Sequence, residues 1–208
     1  MKHAILMADI INSRDKESKR LMHQFEKVTA EINHIYAKRI RSPVTITLGD
    51  EFQGVVKSIA FAIELIFSIE ELIIKYNYDF KLRYVLVYGE IDTSLNTITA
   101  HGMLGAGLTE ARNKLNDLKK HESRFYVEVD KAKDDYLNKA LSIYQGIIDG
   151  WKAKDSAAVS AFLEYEDYKI VAEKVETDRS SAWRRQRSLK IENYKSIKEI
   201  ILFLLNAN

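Results

Sequence analysis

The chain has 208 residues, of which 46% are hydrophobic and 30% charged, and its formal net charge is +2. That size allows one large domain or a domain with an appendage, and the balance excludes a collagen, a mini-protein or a wholly disordered chain. With no cysteine present, disulfides, thiolate metal sites and cysteine nucleophiles are excluded. No apolar run approaches the roughly 20 residues of a membrane span. The first residues reach Asp9 too soon for the apolar stretch of a signal peptide, so no export and a cytoplasmic location are expected.

Taken in order, Ala4 to Ile11 is apolar and predicts a strand carrying Asp9 near its end, followed by the capping types Asn12, Ser13 and Asp15. Leu21, Phe25, Val28, Ile32 and Ile35 recur at helical spacing and predict a helix with one buried stripe, running to about Lys38. Val44, Ile46 and Leu48 alternate with threonines, and Gly49 and Asp50 then make a turn before Phe52, Val55 and Val56, which is a hairpin pattern. Ile59 to Tyr76 is apolar on several faces and reads as a buried helix. Lys81 to Tyr88 alternates as a strand covered on both sides, with Leu82, Tyr84 and Leu86 on one face and Arg83, Val85 and Val87 on the other. After Gly102, Gly105 and Gly107, Leu108, Ala111, Leu115 and Leu118 mark a further helix, and Phe125 to Val129 a last strand.

The resulting order is β, α, β, β, α, β, α, β. Beyond Asp130 only helical patterns remain, so the reading is an α/β domain over residues 1–130 and a helical domain over 131–208. Charge is uneven along this chain. Residues 1–130 carry 18 basic and 18 acidic side chains, residues 131–178 carry 7 and 10, and residues 179–199 carry 7 and 2. The last segment points to an anionic partner, or to a solvated basic helix face.

If the first strand pairs with the hairpin, Asp9 and Asp50 come to lie side by side. Two unpaired carboxylates at short range share a proton or take up a hard divalent cation such as Mg2+ or Mn2+. The plainer alternative is that Asp9 caps the next helix and Asp50 fills a turn position that suits aspartate. Gly102, Gly105 and Gly107 lead into a helix whose free amides would suit an anion, or serve only a sharp turn. Arg112, about one turn further on, would assist a phosphate or pair with a carboxylate. The five histidines show no metal-ligand spacing, and no P-loop or GxSxG occurs.

The segments MADIINSR, TITLGDEFQG, LRYVLVYGEID and GMLGAGLTEARNKL together resemble the SatD family of bacterial proteins over most of the chain. More distantly, the first 130 residues resemble the ferredoxin-like palm of class III nucleotide cyclases and diguanylate cyclases. That resemblance implies that Asp9 and Asp50, with the carbonyl of Ile10, hold divalent metal, that Gly102, Gly105, Gly107 and Arg112 lie near a nucleotide, and that Asp9, Asp50 and Arg112 are the catalytic candidates. In such enzymes two metal ions position a triphosphate and activate the attacking hydroxyl. The helix here has Leu108 four residues before Arg112, where the cyclase pattern has asparagine.

Residues 168–190 resemble a helix-turn-helix. Ile170, Val171 and Val175 would face inward, Thr177 to Ser180 would make the turn and cap, and Ala182, Trp183 and Leu189 would pack the second helix. Arg179, Ser180, Ser181, Arg184, Arg185 and Arg187 would be left for DNA phosphates and base edges. Glu176 stands where such turns favour glycine. The other reading of this tail is a helical dimerisation element. The closing helix, with Ile197, Ile200, Ile201, Leu204 and Leu205, calls for a partner helix within the chain or in a second copy, and a homodimer would set two recognition helices about one DNA turn apart. The leading expectation is a regulator that binds DNA through its tail and a divalent ion, with or without a nucleotide, through its palm. An enzyme of nucleotidyl or phosphoryl transfer and an interaction scaffold are the alternatives.

Overall fold

The computed structural model describes residues 1–13, 18–47 and 49–206; Asp15 and Leu48 of the expected cap and strand lie outside the described residues. Five strands, β1 (Lys2–Ile10), β2 (Ile40–Ile46), β3 (Glu51–Val56), β4 (Leu82–Glu90) and β5 (Phe125–Glu128), form one sheet in the order β2-β3-β1-β4-β5. All neighbours are antiparallel except β4 and β5. Helices α1 (Ser18–Ile35), α2 (Ile59–Lys75) and α3 (Ala106–Leu118) alternate with them, so the element order read from the periodicities is the one observed. The first four strands and two helices make a βαββαβ unit, and α3 with β5 extends it on the β4 side.

β1 occupies the centre, and every residue from His3 to Ile10 is buried. A strand with both faces covered loses the need for polar alternation, which is why AILMADI is nearly all apolar. Its even-numbered residues Ala4, Leu6, Ala8 and Ile10 meet α1 and α2, while Ile5 and Met7 join Leu108, Ala111 and Leu115 of α3 in a second cluster on the opposite face. Asp9 follows the odd-numbered set. The α1 stripe is buried from Leu21 to Ile32, but Ile35 is exposed because the helix ends there.

Helices α4 (Asp134–Ile148), α5 (Ser156–Glu164), α6 (Tyr168–Lys174), α7 (Arg179–Ser188) and α8 (Ile191–Asn206) complete the described chain. The change from strands to helices near residue 130 is not a break in the core. Leu137, Leu141 and Tyr144 of α4 and Tyr194, Ile197 and Ile201 of α8 belong to the same apolar cluster as the α1/α2 face of the sheet. Thus α8 finds its partner helices, α4 and α2, within the chain, leaving Ile200 and Phe203 outward. Residues of α5 and α6 with Leu189 and Ile191 form a smaller cluster beside it.

Few glycines are available to end helices, and other residues take the left-handed position. After α2, Asn77 has φ 51°, Asn77 N donates to Ile74 O at 2.9 Å and Tyr78 N to Ile73 O at 3.0 Å. This is the pair of bonds that closes a helix in a Schellman turn. Glu176 with φ 52° and Lys190 with φ 53° follow α6 and α7 in the same way. No helix among the described residues is long and apolar enough to cross a membrane.

Candidate functional site

Strand register decides which acids meet. Asp9 pairs across the β1–β3 ladder with Glu51, not with Asp50. Because side chains alternate along a strand, the carboxylates of Asp9 and Glu51 share the α3 face while the residue before Glu51 is turned away. The Asp50 backbone is close, since Ile10 N donates to its carbonyl at 2.9 Å, but its carboxylate accepts from Ser13 Oγ instead. The expected side-by-side pair of Asp9 and Asp50 is therefore corrected to Asp9 and Glu51.

Cations from two elements close over these acids. Lys119 Nζ stands 3.1 Å from Asp9 Oδ2 and 3.2 Å from Glu51 Oε1. Arg112 Nη1 donates to Glu51 Oε2 at 2.7 Å, and Arg83 Nη1 lies 3.5 Å from Asp9 Oδ1. Arg83 is the cross-strand neighbour of Asp9 on β4, while Arg112 and Lys119 are two turns apart along the α3 side. Of the two roles open to Arg112, it takes the carboxylate. Burial pushes the Asp9 carboxyl above its ordinary value, and Lys119 and Arg83 offset this only in part. For Lys119 the same burial pulls downward, but the hydrogen bonds and charges of Asp9 and Glu51 outweigh it and hold the ammonium above the usual lysine range.

Such a donor set does not fit Mg2+ or Mn2+. A hard cation wants several convergent oxygens with little positive charge nearby, whereas three cations here face two carboxylates. Among the described residues no group of three or more histidines or acids could hold a metal ion. Asp9 Oδ1 is buried without a hydrogen bond, as is Thr47 Oγ1, which lies in the same row on β2's extension, where Thr47 N donates to Glu51 O at 2.9 Å.

Nor do the glycines join this site. A Cβ on Gly105 would come within 2.4 Å of Glu90 O, and one on Gly107 within 2.6 Å of Gly89 Cα. Both glycines thus let the start of α3 lie directly on the β4 backbone. Gly102, with φ 73°, serves a turn. Glu90 and Gly89 pair with Lys2 and His3, at the far end of β1 from Asp9. At about 1.5 Å per residue the 13 residues of α3 set its glycine end some 20 Å from its Lys119 end, with Arg112 between them.

The helical tail does form the expected pair of helices joined by a short turn. Asp178 caps α7, accepting from Ser181 N at 2.9 Å and Ser180 Oγ at 2.6 Å. These bonds hold its carboxyl well below the usual range. The turn bends at Glu176 in the left-handed region, with Thr177 N donating to Ala172 O at 2.9 Å. Val171, Ala172, Ala182 and Leu189 are buried. Trp183 is not: it is 44% exposed, with the Arg187 guanidinium 4.8 Å from its ring, because α7 has room inward only for small Ala182. Ile170 is likewise exposed. Arg179, Ser180, Arg184, Arg185 and Arg187 are exposed and Ser181 partly so. Arg185 is tied back to Asp155 at 2.8 Å and to the Lys154 carbonyl at 3.3 Å.

Sequence reasoning missed Glu51, Arg83 and Lys119. Glu51 was legible from the two-residue period, since a partner for Asp9 on the same face must sit one position from Asp50; nothing local marked Lys119, which follows the last helical residue of α3.

The SatD family model matches residues 3–204. No curated protein matches the chain. Among solved structures, the monomeric guanylyl cyclase domain of the RhoGC fusion protein from the aquatic fungus Blastocladiella emersonii is similar at 15% identity, covering 66% of this chain and 86% of that one, with a TM-score of 0.41.

Proposed function

The chain belongs to the SatD family, and on that premise we propose that it is a cytoplasmic DNA-binding regulatory protein whose contact element is α7. The observation that carries this reading is the state of the α7 arginines. Arg184 and Arg187 are exposed and have no acidic partner among the described residues, while Ala182 and Leu189 anchor the helix from behind. Both guanidinium groups, Arg184 beside the Ser180 and Ser181 hydroxyls and Arg187 over the Trp183 ring, remain open to an anion, and Arg suits phosphate and base edges through its planar fork. Exposed Ser180 and Trp183 add a hydroxyl and an aromatic edge to the same helix.

The phosphoryl-transfer alternative requires acids that converge on metal, and the arrangement of Asp9, Glu51, Arg83, Arg112 and Lys119 does not favour it. The cluster serves better as an ionic clasp that binds α3 to the end of the sheet.

Fluorescence anisotropy on labelled duplex fragments of genomic DNA tests the reading. Binding is expected at low salt, with affinity falling steeply as salt rises. Arg184→Ala with Arg187→Ala should weaken it on every sequence and reduce the salt slope by about 2, one unit per lost phosphate contact. No binding at low salt would remove the proposal, and undiminished binding by the double variant would move it off α7.

A further inference from the structure

Four large apolar side chains stand outward on one face of the helical layer: Tyr136 and Ile143 of α4 and Ile200 and Phe203 of α8 are between 50 and 71% exposed. Their places along the two helices bring them together. On α4, Asn138 and Gln145 bond toward β5, to Val127 and Arg124, and the helical period puts Tyr136 and Ile143 on the flank about 160° away. On α8, Lys198 reaches Glu71 of α2, and the same period puts Ile200 and Phe203 on the flank about 140–160° from it. Because α4 packs between β5 and α8, and α8 between α4 and α2, these two flanks adjoin over the α4–α8 seam as one apolar strip.

Charge marks the rims of this strip. The helices run antiparallel: Trp151, just past the end of α4, donates to the carbonyl of Leu189, just before α8, at 2.8 Å, and the rings of Tyr144 and Tyr194 lie 5.6 Å apart. Counting equally along both helices from that ring contact sets Lys139 and Glu199 level with one another, one on each outer rim. Both are exposed. Lys139 pairs with Asp135 of its own helix at 2.7 Å, and Glu199 carries no ion pair among the described residues.

Size and charge together point to what covers the strip. The four side chains expose on the order of 500 Å², near the upper limit for a patch on a monomer. Two such faces with their rims would bury about 1,000–1,200 Å² in total, where specific association begins. A two-fold contact lays a surface on its own image, and rotation about an axis parallel to the helices lays the α4 rim of one copy on the α8 rim of the other. Lys139 then meets the partner's Glu199, and this happens on both sides of the apolar strip; like charges on the two rims would instead have repelled a second copy. The sheet edges are engaged elsewhere. Asn138 bonds Val127 N and O of β5 at 2.9 and 2.8 Å, and Asn33 bonds Val44 N and O of β2 at 2.8 and 2.7 Å, so neither edge offers these groups to an added strand.

We propose that the α4–α8 face is a homodimer interface, with α4 of one protomer on α8 of the other, the four apolar side chains in the middle and Lys139–Glu199 pairs at both rims. This goes beyond the DNA reading and does not rest on it, and its test contains no DNA.

Sedimentation velocity of the full chain over a concentration series up to about 100 μM should show a monomer–dimer equilibrium, as befits an interface of this size. Ile200→Glu with Phe203→Glu should leave a monomer throughout that range, with the circular dichroism and Tm of the parent, since both positions are exposed. Lys139→Glu and Glu199→Lys should each weaken dimerisation by about tenfold, because two exposed ion pairs become two repulsions. Mixing these two charge variants should restore it, because the mixed dimer regains an opposite-charge pair at each rim. A parent chain that is monomeric at the top of the series, a dimer that survives Ile200→Glu with Phe203→Glu, or a mixture of the charge variants no tighter than either alone would each overturn the proposal. The charge variants lie on exposed rims and carry the test even if the double variant disturbs α8.

Discussion

Two ionic clusters sit at the same end of the sheet, on opposite faces, and they are built to different standards. On the α2 face, Arg124 is 3% exposed, both Glu70 oxygens are engaged, Tyr84 OH adds a bond to Glu70 at 2.8 Å, and Asp149 is shared with Lys81. On the α3 face, Asp9 is as deeply buried, yet its Oδ1 has no hydrogen bond, and of its two cations Lys119 is 38% exposed and Arg83 stands 3.5 Å away. A buried charge is tolerated when its partners complete the hydrogen bonding that water would have given. The first cluster meets that condition and fixes β4, β5, α2 and α4 to one another. The second does not, and the uncompensated part remains as a protonation bias on Asp9.

The largest effect should come from breaking the complete cluster. Arg124→Met strands Glu70 in the core, and removing one partner of a buried pair costs about 3–5 kcal/mol. For a chain of this length that corresponds to a fall in Tm of roughly 10 °C, read by thermal or denaturant unfolding. Adding Glu70→Leu to Arg124→Met should return much of the loss, because the stranded acid is then gone. If the double variant is as unstable as the single one, the cost lies in packing around the guanidinium stem and not in the unpaired charge.

The clusters also differ in how far the sequence announced them. Asp9 stood out as the one charge in a buried strand, whereas Glu70 was one of three acids, with Glu64 and Glu71, in an apolar helix and nothing in the sequence set it apart. Their partners were not marked either, because Arg124 and Lys119 reach them through turns whose geometry no period records. Asp50 was chosen over Glu51 because a turn position is conspicuous in sequence, whereas the parity of a strand pair follows only from the ladder register. The glycines misled for a related reason: close approach of α3 to β4 and close approach of a phosphate both ask for a missing Cβ, and only the position of β4 separates them. The tail helices were legible in order, but their sharing of the sheet's core was not, since tertiary neighbours leave no mark on a helical stripe.

Charging Asp9 is the next way to separate the clusters. Its folded-state pKa is raised, so the folded chain binds the proton more tightly than the unfolded chain does. Stability from this group is therefore greatest in acid and falls as pH climbs from the ordinary aspartate value of 3.8 through the raised one. Asp9→Asn removes the ionisation while keeping the shape. It should raise Tm at neutral pH, with the gain shrinking to nothing below the ordinary aspartate range. A loss of stability at neutral pH would mean that Lys119 and Arg83 contribute more than burial costs, and that the α3-face cluster is as complete as its counterpart.

The smallest effect tests the same incompleteness without touching a charge. Thr47 Oγ1 is buried and unpartnered beside Glu51, so its hydroxyl loses hydration on folding and gains no bond in return. Thr47→Val keeps the volume and β-branching that the strand favours and deletes the unsatisfied group, whose burial typically costs about 1–3 kcal/mol. Stability should stay level or rise, by up to about 1 kcal/mol once imperfect shape matching is allowed for. The corresponding deletion on the closed face, Tyr84→Phe, removes a hydroxyl that is bonded to Glu70 and should lower stability by about 1 kcal/mol. Opposite signs from two single-hydroxyl deletions, measured by urea unfolding with an unchanged m-value, would show that the two faces differ in satisfaction rather than in burial. A fall in stability with Thr47→Val equal to that of Tyr84→Phe would place a bonded partner at Thr47 and close the gap between them.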